Sequence, residues 1–212
     1  HAAERAALTA TLRELGIDPA PAVLSRYSEI NRSFWQLLER GGITRAELKV
    51  QRYAQLFEEL GQSASPQKAA HRYEGHLSEG HWFIPGAQEL LLRLYGRMDL
   101  YLVTNGSLAV QRGRLKSAGI GKYFRRIFIS EELGCNKPSR EYFERCFAQI
   151  PDFSPEDSIL VGDSLTSDIQ GGKNAGLRTV WFNPAGLPNP SGPQPDYEVH
   201  TLKEAGDLLL GL

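Results

Sequence analysis

Ser158-Ile159-Leu160-Val161-Gly162-Asp163-Ser164-Leu165-Thr166-Ser167-Asp168 passes from three aliphatic residues, through a glycine and a carboxylate, into a polar turn before a helical stretch. A short apolar run bounded by turn chemistry reads as a buried strand, and the segment around Ser167–Ala175 that follows reads as a helix. The same unit repeats on both sides. Strands are expected at Leu100–Val103, Arg126–Ile129 and Thr179–Phe182, and helices around Gln88–Leu94, Val110–Ala118 and Arg140–Gln149. Strand alternating with helix predicts an α/β domain: a parallel sheet with right-handed crossovers and helices on both faces. In such sheets ligands bind beyond the carboxyl ends of the strands, so the residues just after each strand carry the chemistry.

Ahead of Pro85 the rhythm differs. Apolar residues recur every three or four positions (Ala7, Leu8, Leu12, Leu15; Phe34, Leu37, Leu38; Leu48, Tyr53, Leu56, Phe57, Leu60), with breaks at Gly16–Pro21, Gly41-Gly42 and Gly61–Pro66. This predicts about four helices, one of them started by Thr44 with Glu47 three residues on, the pattern of a capping box. Two domains are therefore expected, a helical one over 1–82 and the α/β core over 83–212. The loop from Asn183 to Pro195, rich in Pro and Gly, reads as surface.

Composition narrows the classes. The 212 residues carry 24 basic and 25 acidic side chains, a net charge of −1, and 41% hydrophobic residues. That is a globular composition with no global field to recruit a nucleic-acid polymer or an anionic membrane. No apolar run approaches the ~20 residues of a membrane span. Cys135 and Cys146 form no Cys-x-x-Cys, which suits reduced thiols and a cytoplasmic protein. No signal-peptide pattern opens the chain, which starts with His1 directly in a helical pattern, so a preceding segment is expected.

Three strand ends are informative. After the first come Thr104-Asn105-Gly106-Ser107, a hydroxyl, an amide and a glycine at a helix start, suited to phosphate oxygens or to plain capping. Past the second, Asn136-Lys137-Pro138 sets an ammonium on a backbone restricted by proline, either as an anion ligand or as a surface lysine. After the third, Asp163 and Asp168 flank the strand-to-helix turn; such carboxylates suit Mg2+, with Ser167 or Asp168 capping a helix as the plainer alternative. A hydroxyl, a cation and a metal-type carboxylate at the mouth of one sheet make a phosphate site with a metal.

The order Leu102-Val103-Thr104-Asn105-Gly106, Asn136-Lys137-Pro138, Val161-Gly162-Asp163-Ser164 with Asp168, then Gly171-Gly172-Lys173-Asn174-Ala175-Gly176-Leu177 and a strand bearing Trp181, resembles the haloacid dehalogenase-like hydrolases from about Pro85 to Phe182. The helical half resembles the small cap these proteins insert after their first strand, and Ile30–Trp35 and Gly42–Thr44 resemble the pyrimidine 5'-nucleotidase branch. The resemblance implies a Rossmann-like core with a helical cap, and phosphoryl transfer through an aspartyl-phosphate. It assigns Thr104, Asn105, Gly106 and Lys137 to the phosphate and Asp163 to Mg2+. Asp168 is assigned either a metal contact or the orientation of Lys137. The family's opening Asp-x-Asp-x-Thr, source of the nucleophile and general acid, is absent from these residues and is expected on a strand ahead of His1; a chain without it is expected to be inactive.

Two rivals stand beside a Mg2+-dependent phosphomonoesterase. In a 2-haloacid dehalogenase of the same fold the residue matching Asp163 is usually not acidic, and a binding protein that had lost catalysis would not need Thr104, Lys137, Asp163 and Asp168 together. The expected substrate is a nucleoside 5'-monophosphate or another small phosphate ester. Tyr27, Phe34, Trp35 and Tyr53 could offer a base a stacking face, although aromatics at helical spacing more often build a core.

Overall fold

The computed structural model describes residues 2–212 and divides the chain into two compact units, residues 2–82 with Ala109–Gly119, and Phe83–Leu108 with Ile120–Leu212. In the first, α1 (Ala2–Glu14), α2 (Pro21–Glu39), α3 (Arg45–Glu59) and α4 (Pro66–Glu79) form a helical bundle. Proline opens α2 and α4, where its missing N–H leaves no helical bond unmade. Thr44 starts α3 with the expected capping box: its hydroxyl accepts from Glu47 N at 3.2 Å while Glu47 accepts from Thr44 N at 2.7 Å. Leu8, Leu12, Ile30, Leu56, Phe57 and Ala69 close the core with three tyrosines, Tyr27, Tyr53 and Tyr73. Burying this apolar stripe from every helix is what holds such short elements together.

The second unit carries α5 (Ala87–Leu94), β1 (Tyr101–Thr104), β2 (Arg126–Ile129), α7 (Ser130–Leu133), α8 (Arg140–Phe147), β3 (Ile159–Gly162), α9 (Gln170–Asn174), β4 (Arg178–Phe182), β5 (Tyr197–Val199) and α10 (Leu202–Gly211). Every expected strand is present within a residue or so of its expected bounds. All pairing is parallel, as strand-helix alternation requires, and the unit is an α/β, Rossmann-like domain.

Three points differ from expectation. A parallel sheet lacking the strand expected at its centre is the sequence expectation, which does not say where the strands part; among the described residues the pairing runs in two ladders, β1-β2 and β3-β4-β5. A crossover fixes handedness but not how many sheet positions it skips, so sequence order alone does not say which strands are neighbours. Second, α6 (Leu108–Ala118), by chain order the crossover from β1 to β2, lies with the helical unit. Gly113 permits this, because a Cβ there would stand 2.7 Å from the Ser78 carbonyl oxygen, and Ser117 Oγ donates to Glu79 O at 3.0 Å. Third, β5 and α10 have no counterpart in the sequence reading: Tyr197–Val199 is too short to show a period, and α10 shows itself mainly through its cap, Thr201, which accepts from Glu204 N. No helix among the described residues is long and apolar enough to cross a membrane.

Candidate active site

The candidate residues sit at the carboxyl ends of β1 and β3 and in the loop after β2, all in the α/β unit. Lys137 is the hub. Its side chain is buried, 7% exposed, and its ammonium donates to Asp168 Oδ1 at 2.6 Å and to the Val103 carbonyl oxygen of β1 at 3.1 Å. Asp168 is equally buried and uses its second oxygen to accept from Ser164 N at 3.1 Å. A buried ion pair survives desolvation only when its remaining polar atoms are also satisfied, and here both carboxylate oxygens are. Of the two roles expected for Asp168, this geometry favours orienting Lys137 over direct metal contact.

Gly162 makes room for that pair. A Cβ at this position would lie 2.3 Å from the Asp168 Cβ, so only glycine lets the carboxylate fold back over the strand end. The turn itself, Leu165–Ile169, is a single π-helical turn capped by Ser164, whose Oγ accepts from Ser167 N at 3.1 Å. The cap is thus Ser164, not Ser167 or Asp168: one carboxylate oxygen of Asp168 is held by Lys137, and the Ser167 side chain faces Asn105. π-turns of this kind often accompany functional sites.

The β1 loop differs in detail from expectation. The Asn105 side chain clamps the Lys137 backbone, accepting from Lys137 N at 3.0 Å and donating to Lys137 O at 2.9 Å, with a further bond to Ser167 Oγ at 3.3 Å. Its side-chain amide is therefore committed to holding the lysine loop, so a hold on phosphate by Asn105, as the resemblance implies, does not come from that amide. The Gly106 N–H, also expected at the phosphate, instead donates to the buried Ser130 Oγ at 3.0 Å. Both corrections have one cause: buried or half-buried donors take the nearest protein acceptor. The half-buried Thr104 hydroxyl, by contrast, has no hydrogen-bond partner among the described residues, while its backbone N–H donates to Tyr142 OH at 3.0 Å.

Sequence reasoning missed the residues that brace these loops. Tyr142 OH also donates to Phe128 O at 2.9 Å, tying β1 to β2, and Glu131 accepts from Leu108 N at 2.7 Å at the start of α6. Nothing local marks Tyr142, which sits in an ordinary amphipathic helix capped by Ser139. The Lys137–Pro138 peptide bond is cis.

Asp163 stands apart from this network. Its backbone carbonyl accepts from Trp181 Nε1 at 3.1 Å, but its carboxylate has no side-chain partner among the described residues. The residue is solvent-accessible on one side, yet crowding by protein atoms and then the Asp168 charge raise its carboxyl above the ordinary range. An unneutralised carboxylate at a strand mouth has the donor chemistry of a hard-cation ligand. Among the described residues no group of three or more His, Cys, Asp or Glu side chains could close a site alone. Mg2+ is a hard cation that is held by one or two carboxylates, with water and substrate phosphate completing its shell, and Asp163 has that donor chemistry.

With the geometry described, the comparisons are consistent. Residues 43–182 match the sequence profile of the haloacid dehalogenase-like hydrolases. The pyrimidine 5'-nucleotidase PynA of Streptococcus pneumoniae is 41% identical over 209 residues, covering 98% of this chain and 88% of the relative. The pyrimidine 5'-nucleotidase YjjG of Escherichia coli is 33% identical over 183 residues, covering 86% of this chain and 80% of the relative. The crystal structure of the HAD-hydrolase YfnB from Bacillus subtilis bound to magnesium superposes with a TM-score of 0.93 at 40% identity, over 98% of this chain and 91% of that one. This chain belongs to the haloacid dehalogenase-like hydrolases and is an enzyme of their phosphatase class.

Proposed function

We propose that this enzyme is a Mg2+-dependent phosphomonoesterase that acts on nucleoside 5'-monophosphates through an aspartyl-phosphate. The observation that carries the reading is the buried Lys137 ammonium, fixed by Val103 O and Asp168 Oδ1 at the end of β1, in the same site as the unneutralised Asp163 carboxylate. Phosphoryl transfer has a loose transition state whose charge spreads over the equatorial oxygens, so positioned cations and donors do most of the work. Lys137 neutralises charge on the phosphoryl group and on the attacking carboxylate. Thr104, whose hydroxyl has no partner among the described residues, donates to a phosphoryl oxygen. Asp168 holds the Lys137 side chain in place, and Asn105 fixes its backbone.

Asp163 would hold the Mg2+, which when bound neutralises phosphate charge and orients the phosphoryl group. These 212 residues contain no Asp-x-Asp, so none of the residues named here is assigned the attacking carboxylate. The division of labour between residues 1–82 as a substrate-selecting cap and 83–212 as the catalytic core rests on the family resemblance. The names of PynA and YjjG support a pyrimidine 5'-nucleotide as substrate, and the magnesium in the YfnB structure supports the metal.

The test is phosphate release by the full-length protein from a panel of nucleoside 5'-monophosphates and sugar phosphates, with Mg2+ and with chelator. Turnover that needs Mg2+ and favours nucleotides is expected. Metal-independent halide release from 2-haloacids, without phosphate release, would replace the reading by dehalogenase chemistry.

A further inference from the structure

The helical unit buries a second cation that nothing in the α/β site explains. Arg52, on α3, is 5% exposed and sits against three tyrosine rings, 4.9 Å from Tyr73, 5.2 Å from Tyr53 and 5.8 Å from Tyr27. Burial pushes all three hydroxyls above their ordinary range, so they stay neutral, and Tyr27 OH donates to Tyr53 OH at 2.9 Å. Among the described residues no carboxylate hydrogen-bonds the guanidinium and its Nε has no hydrogen-bond partner. Its one side-chain hydrogen bond among them goes from Nη1 to Asn31 Oδ1, at 2.8 Å. Burying a guanidinium with an unsatisfied donor is unfavourable, and a structure that only needed to fill this space would do better with an apolar side chain.

That bond fixes the Asn31 amide. With Oδ1 turned to Arg52, the Nδ2 group is left as a donor with no partner among the described residues. Four residues on, and so on the same face of α2, stands Trp35. It is half-buried, its Nε1 has no partner among the described residues, and the Arg45 guanidinium lies 5.8 Å from its ring. Arg45 and Arg52 are seven apart and share a face of α3, which packs on α2. The seam thus presents a fixed amide donor, an indole face and an indole donor, with no acceptor of its own in that set. Of the four aromatics that could have met a base, Tyr27 and Tyr53 are core and Phe34 packs against that core, which leaves Trp35.

We infer that Asn31 and Trp35 form a pyrimidine-recognition face on the helical unit, with Asn31 Nδ2 donating to the O2 carbonyl of a pyrimidine that stacks on Trp35, and with Arg52 positioning the Asn31 amide. O2 is common to every pyrimidine nucleobase and absent from adenine, so a donor held in place discriminates where an apolar shelf would not. The inference rests on the nucleotidase reading and adds to it the residues that select the base.

Asn31→Asp is the sharpest probe, because it keeps the shape and an oxygen for Arg52 but turns the outward donor into an acceptor. With the full-length protein, kcat/KM is measured for uridine 5'-monophosphate, adenosine 5'-monophosphate and p-nitrophenyl phosphate, and uridine binding is followed by equilibrium dialysis. For Asn31→Asp the ratio of uridine 5'-monophosphate to p-nitrophenyl phosphate turnover falls by about tenfold or more, carried by KM, and uridine binding weakens in parallel. Trp35→Leu lowers the same ratio. Equal losses on all three esters, or an unchanged ratio, would overturn the assignment. If the parent protein hydrolyses no phosphate ester, the phosphatase reading fails separately, and dialysis alone decides the base face: uridine held by the parent and lost in Asn31→Asp supports it, and equal binding or none refutes it.

Discussion

Among the described residues each unit buries one cation, and each compensates for it differently. In the α/β unit Lys137 meets a carboxylate at 2.6 Å and a carbonyl at 3.1 Å, so full charge faces full charge. In the helical unit Arg52 meets three neutral rings and one amide and leaves a donor unsatisfied. Ammonium is a compact, strongly hydrated charge that must be matched by an anion when buried; guanidinium is flat, weakly hydrated and able to stack. The first arrangement holds a charge ready to act on phosphate. The second uses the cation to aim a neighbour.

The comparison is broken most directly at Lys137. Lys137→Met strands the buried Asp168 carboxylate, and chemical denaturation should register a loss of about 3–5 kcal/mol along with loss of turnover. Adding Asp168→Asn should recover part of the stability and none of the activity; strictly additive losses would mean that the pair is not coupled. Gly162→Ala, which drives a methyl into Asp168, should cost about 1–3 kcal/mol and lower turnover through the displaced lysine.

Arg52→Met should be the milder change, below about 2 kcal/mol, because it strands no opposite charge and leaves neutral groups behind. A loss as large as that of Lys137→Met would erase the distinction drawn between the two cations.

Asp163 gives the smallest effect on stability and the most telling sign. Its folded pKa is raised above the unfolded one, so the native state binds the proton more tightly. Stability in metal-free buffer is therefore highest below the unfolded value of about 4 and declines as pH rises from there through the folded pKa. Asp163→Asn should unfold at a slightly higher temperature than the parent at neutral pH, with the advantage vanishing at acid pH, while losing Mg2+-dependent turnover. A variant less stable at neutral pH would reverse this account of the carboxylate.

Much of the α/β unit was legible because its signals are local. Apolar runs bounded by turn residues locate four of the five strands, and the rule that ligands collect at carboxyl ends singles out Thr104, Lys137, Asp163 and Asp168. Partnerships were less legible. Asn105 reads as a phosphate ligand by position, yet its amide serves Lys137, 32 residues away, because the loops after β1 and β2 converge. Tyr142 is one aromatic among several until its hydroxyl is seen between Thr104 N and Phe128 O. In the helical unit, Arg52 reads as one more polar residue on a helix, since nothing in its neighbourhood of sequence announces three tyrosines from three helices.

The sequence by itself determined the longer helices and four of the five strands, that the second unit is parallel α/β, and which chemical groups stand at the strand ends. All of these follow from periodicity, turn residues and crossover handedness, which act over a few residues at a time. Only the tertiary structure decided which strands are neighbours, that Asp168 pairs with Lys137 while the Asp163 carboxylate has no side-chain partner among the described residues, and that Arg52 bonds Asn31. Those choices join residues 31 and 21 positions apart, and they depend on how buried polar groups find partners once the chain has closed around them.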